Sequence, residues 1–143
     1  MKLKIITIGE PKLSFAREGF SEYLKRLGAY HKVQIVHLRD SASYEKILQE
    51  VDNDFCVVLD ENGKEFGSRE LSQFLDKKAV YGIGEMCFLV GGPDGHSNVV
   101  KERADFMWSF GKMTLPHDLA MVVLVEALYR ASTISVGHPY HRD

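Results

Sequence analysis

The spacing of apolar residues changes repeatedly along this chain, and each change marks an element. Leu3-Lys4-Ile5-Ile6-Thr7-Ile8 is a short, largely β-branched run closed by Gly9 and Pro11, which predicts a strand. From Ser14 to Leu27 the residues Phe15, Phe20, Tyr23, Leu24 and Leu27 recur at helical spacing. Val33 to Leu38 is strand-like, and Ser43 is a fitting N-cap for a short helix through Leu48. Phe55 to Leu59 is a continuous apolar strand that ends at Asp60-Glu61-Asn62-Gly63, a turn signal. Ser68 can cap a helix with Leu71, Phe74, Leu75 and Ala79 on its inner face. Met86 to Val90 is another apolar strand, running into Gly91-Gly92-Pro93-Asp94-Gly95. Ser97 opens a further helix, Phe106 to Phe110 reads as a strand, and Gly111 to Leu115 as a loop. Pro116 suits the first turn of a last helix reaching about Ala131, and the tail from Ser135 to Asp143 is polar and irregular.

Continuous apolar strands alternating with helices predict an α/β fold, a mostly parallel sheet covered by helices on both faces. No repeat or linker divides the chain, so residues 1–143 read as a single domain. Ligands of such sheets bind beyond the carboxyl ends of the strands. The segments to watch are therefore Leu59–Gly63, Gly91–Gly95 and Phe110–Pro116. The last helix adds a second expectation. Leu119 to Val125 is apolar throughout and Ala127 and Leu128 follow, so little polar face remains. Burial against a second copy of the chain explains this helix better than a central position in a monomer. Glu126 and Arg130 are spaced to pair along it.

Composition narrows the class. Of 143 residues, 45% are hydrophobic and 27% charged, and the net charge is −2, which fits a folded protein and excludes binding of nucleic acid by bulk charge. Contact with nucleic acid would need a local patch. The two cysteines, Cys56 and Cys87, lie in apolar runs and read as small hydrophobes in a reducing, cytoplasmic setting. The longest apolar run, Leu119 to Val125, is far short of the roughly 18 residues a membrane span needs.

Gly91–Gly95 follows a strand, yet it is neither G-x-G-x-x-G nor a phosphate-binding loop ending in Lys-Ser/Thr. It is either a tight turn or a place where backbone touches a ligand. The missing phosphate signature disfavours a nucleoside triphosphate or dinucleotide and leaves room for a nucleoside held by backbone groups. Asp60-Glu61 reads as solvated turn chemistry more readily than as a catalytic pair. His31 and His37 read as structural or exposed, and His96 could help cap the helix after the glycine loop. His138-Pro139-Tyr140-His141 lacks the partners of a metal site, so no metal is expected. Either this tail is an unstructured polar end, or it holds RNA: Tyr140 to stack a base, Arg142 for phosphate, and histidines that can move a proton near neutral pH.

Four segments in order, Phe88-Leu89-Val90-Gly91-Gly92-Pro93-Asp94-Gly95, Met113-Thr114-Leu115-Pro116-His117, Glu126-Ala127-Leu128-Tyr129-Arg130-Ala131 and His138-Pro139-Tyr140-His141-Arg142, resemble the RlmH family. These are bacterial pseudouridine N3-methyltransferases of large-subunit ribosomal RNA, within the SPOUT superfamily. The likeness runs the length of the chain, and the start from Met1 to Gly9 and Leu59-Asp60…Gly63-Lys64 share it. It implies a deep trefoil knot near the carboxyl end, a homodimer, and S-adenosylmethionine as cofactor. It implies cofactor contacts at Leu59, Gly91, Gly92, Phe110, Gly111, Lys112, Met113, Thr114 and Leu115. Tyr140 and Arg142 would position the pseudouridine, with His117 or His141 assisting its deprotonation and Arg130 contacting phosphate or fixing the tail. The substrate would be ribosomal RNA in the large subunit or assembled ribosome, which suits the near-neutral charge. Two other readings are a SPOUT enzyme for another RNA, such as transfer RNA, and a non-enzymatic nucleoside-binding module. The chain has Met121 where family members commonly carry Arg, which implies one cation fewer near the RNA face or interface.

Overall fold

A computed structural model describes residues 1–142; Asp143, the end of the tail read from sequence, lies outside the described residues. Ten elements alternate: β1 (Lys2–Ile8), α1 (Ser14–Leu27), β2 (Lys32–Leu38), α2 (Tyr44–Val51), β3 (Phe55–Glu65), α3 (Ser68–Val80), β4 (Glu85–Val90), α4 (Asn98–Arg103), β5 (Phe106–Ser109) and α5 (His117–Ser135). The strands form one five-stranded sheet in the order β2-β1-β4-β3-β5, with every pairing parallel. Both faces are covered, as the continuous apolar strands require. On one face Phe20 and Leu27 of α1, Leu71 and Leu75 of α3, and Met121, Leu124, Val125 and Leu128 of α5 pack over Leu3, Ile5, Met86 and Phe88. On the other, Ile47 and Val51 of α2 and Val100 of α4 cover Ile6, Val58, Leu89 and the two cysteines. Cys56 and Cys87 face each other across β3 and β4, fully buried, as small hydrophobes should be.

Local chemistry sets the helix starts. Ser43 accepts from the Lys46 N–H at 3.3 Å, and Ser97 from the Val100 N–H at 3.4 Å. At α3 the cap is Gly67 rather than Ser68, because Glu70 reaches back to the Gly67 N–H at 2.9 Å. Pro116 is likewise the cap of α5 and not its first residue. The helix also continues to Ser135, beyond the expected Ala131, where Ser135 Oγ donates to Asp76 of α3 at 2.8 Å.

The turn expected at Asp60–Gly63 is instead an irregularity inside a longer strand. Leu59 and Lys64 both pair with Trp108, so the residues between them bulge out and the strand resumes. Gly63 makes this possible, since its Cα lies against the backbone of β5.

β3 leads into α3 on one face of the sheet and β4 into α4 on the other, so their outgoing loops part and open a crevice. From edge strand β5 the chain returns over this crevice and enters α5, which packs against both α1 and α3. Met121 corrects one expectation: it is fully buried on the inner face of α5 in the core, so it belongs to no RNA-facing surface. Among the described residues no helix is long and apolar enough to cross a membrane.

Candidate functional site at the outlet of the sheet

The crevice is a cavity of about 830 Å³ lined by Leu59–Glu61, Val90–His96, Lys101, Trp108, the loop after β5 and the start of α5. All three post-strand segments singled out from sequence meet here. Leu59, Gly91, Gly92, Phe110, Gly111, Met113, Thr114, Leu115 and His117 all line it. Lys112 belongs to the same loop but is exposed and does not line the cavity.

Short-range bonds shape the walls. Gly95 donates to the Gly92 carbonyl at 3.0 Å, closing a tight turn. A Cβ on Gly91 would fall 3.1 Å from the Gly95 carbonyl carbon and 3.2 Å from His96 Nε2, so a side chain at the strand's exit would press on the Gly95 backbone. After β5, Ser109 Oγ accepts from the Gly111 N–H at 3.0 Å and donates to the Gly111 carbonyl at 3.1 Å, bracing a turn in which Gly111 has φ 123°. His96 does not cap its helix. Its Nε2 lies 3.3 Å from the Leu89 carbonyl, and burial lowers its pKa and keeps it neutral.

The lining is acidic. Asp60, Glu61 and Asp94 line the cavity beside one lysine, Lys101, whose Nζ lies 3.4 Å from Asp60 Oδ1. S-adenosylmethionine fits this setting on two counts. The volume lies within the range of about 300–1,000 Å³ usual for small-molecule sites, and an excess of carboxylates suits a ligand carrying a sulfonium and an ammonium against one carboxylate. Backbone at Gly91, Gly92 and Phe110–Leu115 would hold the adenosyl group.

His117 and Asp118 open α5 at the rim. Asp118, which sequence reasoning missed, is buried and accepts from the backbone N–H groups of Lys12 and Leu13, both at 2.8 Å, tying the loop after β1 to α5. Its Oδ1 lies 3.2 Å from His117 Nε2, an ion-pair distance without a hydrogen bond. Burial opposes its charge, but the Leu13 and Lys12 N–H groups and His117 outweigh this and hold its pKa below the usual value. A lowered folded-state pKa gives stability that is complete above the unfolded value, about pH 4, and fades as pH falls through the folded value. Asp118→Ala is expected to cost about 2 kcal/mol at neutral pH. Acid titration of both proteins by circular dichroism checks it: the gap should shrink below pH of about 4.

The tail is elsewhere. Tyr140, His141 and Arg142 do not line this chain's cavity; Tyr140 and His141 lie along α1 and α5. The Tyr140 ring meets Tyr129 edge-on at 4.7 Å, and the Arg130 guanidinium lies 4.7 Å from its centroid. Its hydroxyl donates to Glu126 Oε1 at 3.1 Å and accepts from Tyr23 at 3.2 Å. Burial first, then Tyr23 and Glu126, raise its pKa, so it stays a neutral phenol. Arg130 grips Glu126 at 2.7 and 2.9 Å and donates to His141 Nδ1 at 3.1 Å. Tyr140 thus anchors the tail within its own chain, while Arg142 is exposed. Among the described residues no group of three His, Cys, Asp or Glu could hold a metal.

Known proteins resemble this chain in sequence and in fold. A family model described as "Predicted SPOUT methyltransferase" matches residues 1–141. A Deinococcus radiodurans protein named ribosomal RNA large subunit methyltransferase H is 52% identical, covering 99% of each chain. A Streptococcus gordonii protein of that name is 39% identical over 99% of this chain and 100% of its own. A probable methyltransferase from Bordetella pertussis matches in structure with a TM-score of 0.61 at 11% identity, covering 92% of this chain and 93% of that one. The SpoU methyltransferase AviRb from Streptomyces viridochromogenes, solved with AdoMet, matches with a TM-score of 0.53 at 12% identity, covering 96% of this chain and 61% of that one. With a parallel sheet, a cavity at its outlet and a family match over nearly every residue, this chain belongs to the SPOUT methyltransferases, enzymes that use S-adenosylmethionine.

Proposed function

We propose that this enzyme acts as a homodimer in the cytoplasm and methylates N3 of a pseudouridine in large-subunit ribosomal RNA, on the large subunit or the assembled ribosome. The observation that carries the reading is the cavity framed by Leu59, Gly91 and Phe110–Leu115, together with relatives named for ribosomal RNA large-subunit methylation. When bound there, S-adenosylmethionine supplies an electrophilic methyl group. The chain's own tasks are to align the acceptor and to manage one proton.

The placement of the tail favours a site built from two subunits. Within one chain the tail is tied to α1 and α5 and does not line the cavity, so a partner's tail would bring Arg142 and His141 to it. A surface suited to pairing runs along α5, where Leu119, Val123 and Ala127 form a half-exposed stripe. Beside it, Leu13 and Phe15 are 53% and 59% exposed. Such apolar exposure fits a twofold interface. Leu59, Gly91, Gly92 and the loop Phe110–Leu115, including Lys112, would bind the cofactor. Arg142 would contact the RNA, His117 stands at the cavity rim, and Arg130 fixes the tail. The return of the chain from β5 over the crevice into α5 is the passage a trefoil knot would need.

The test is methylation in vitro. Purified enzyme and S-adenosylmethionine are incubated with ribosomes from cells lacking the gene, and digested RNA is read by mass spectrometry. Methylated pseudouridine in large-subunit RNA supports the reading; methyl groups only in transfer RNA, or none, overturn it.

A further inference from the structure

An arginine can only donate hydrogen bonds. The 3.1 Å contact from Arg130 to His141 Nδ1 therefore makes that nitrogen an acceptor, and the neutral ring must carry its proton on Nε2. Arg130 is not free to turn away, because its Nε and second terminal nitrogen are held by Glu126 at 2.9 and 2.7 Å and its face rests on Tyr140. Glu126 is fixed in turn by the Tyr140 hydroxyl at 3.1 Å, and that hydroxyl by Tyr23. The ring's tautomer is thus set by a chain of bonds running through α5 and α1.

We propose that His141 serves the methyl transfer as a hydrogen-bond donor through Nε2–H to an imide carbonyl beside N3, and not as the base. The proposal rests on the reading that the tail meets the pseudouridine. Methyl transfer forms an N3–carbon bond and breaks the methyl–sulfur bond, whose electron pair stays on sulfur. The N3 proton leaves to water. Before transfer, the deprotonated imide spreads its negative charge over the two flanking carbonyl oxygens, where a fixed N–H donor and the Arg142 charge stabilise it. Arg130 is then a positioning residue that selects the donating tautomer. Among the described residues, the charged and titratable groups around His141 and its anchor include Arg130 and Glu126 on α5, Tyr23 and the Arg26–Glu22 pair on α1, and His138, Tyr140 and Arg142 on the tail.

Two measurements on the full-length enzyme test this. Nitrogen-15 spectra of the imidazoles at mildly alkaline pH should show His141 protonated on Nε2, with the preference weakened in Arg130→Met. In single-turnover assays on ribosomes, His141→Gln, whose amide can still donate, should keep activity within about tenfold of wild type, and His141→Ala should lose about 100-fold or more. Both wild type and His141→Gln should speed up with pH in the same manner across the neutral range. An Nδ1–H tautomer, or a wild-type profile that levels off near the usual imidazole pKa and a His141→Gln enzyme as inactive as His141→Ala, would overturn the donor role while leaving the tail at the RNA. Full activity of His141→Ala would overturn the role of the tail as well.

Discussion

Gly63→Ala is expected to lower stability by about 3 kcal/mol, because its new methyl group has nowhere to go. A Cβ there would fall 2.6 Å from the Met107 carbonyl carbon and 2.7 Å from both the Met107 oxygen and the Trp108 nitrogen. These are backbone atoms of β5 and cannot swing aside as a side-chain tip would. Relief requires β3 and β5 to part where Lys64 and Glu65 rejoin Trp108 and Ser109. Since β5 feeds the loop that walls the cavity, cofactor binding should weaken with it. A fall in melting temperature of roughly 10 °C is expected. Gly84→Ala is the control: nothing lies within 4 Å of its Cβ position, and its stability should change by less than about 0.5 kcal/mol. Equal melting temperatures for the two variants would contradict the close approach of the strands.

Arg130→Met is expected to leave cofactor affinity intact and cut kcat/KM for ribosomes by about 100-fold. One side chain bridges Glu126, the face of the Tyr140 ring and His141, and methionine keeps only its bulk. The tail would then lose its fixed bearing. Arg130→Lys should fall nearly as far, because an ammonium cannot hold two partners in a planar fork. Calorimetry with S-adenosylmethionine beside kinetics on ribosomes separates the outcomes; loss of cofactor binding would show that Arg130 supports the fold of the cavity instead.

The parts of this account that were legible in the sequence are those written locally. The alternation of Leu3–Ile8, Phe55–Leu59 and Met86–Val90 with amphipathic runs announces a parallel sheet, and the glycines after Val90 mark its outlet. What was hidden depends on residues distant in the chain. Asp118 reads as an ordinary first-turn acid until the loop after β1 arrives to donate two N–H groups. Lys101 has no sequence signal linking it to Asp60. Asp60–Gly63 carries every mark of a turn, and only the pairing of Lys64 with Trp108 turns it into a bulge within a strand. Likewise, Tyr140 has the composition of a base-stacking residue, yet Tyr129, Arg130, Glu126 and Tyr23 claim it for the tail's own anchorage.

In the proposed homodimer, cavity and tail belong to different subunits of one active site. Two variants tested as pure proteins and as a mixed dimer address it directly: Gly91→Val, which fills the strand's exit, and Arg130→Met, which removes the Arg130 hold on His141. Each should be nearly inactive alone. A heterodimer purified through two different tags pairs an intact cavity from one subunit with an intact tail from the other, and should recover about half the wild-type rate. A heterodimer no more active than its parents would place both parts in the same chain and contradict the account.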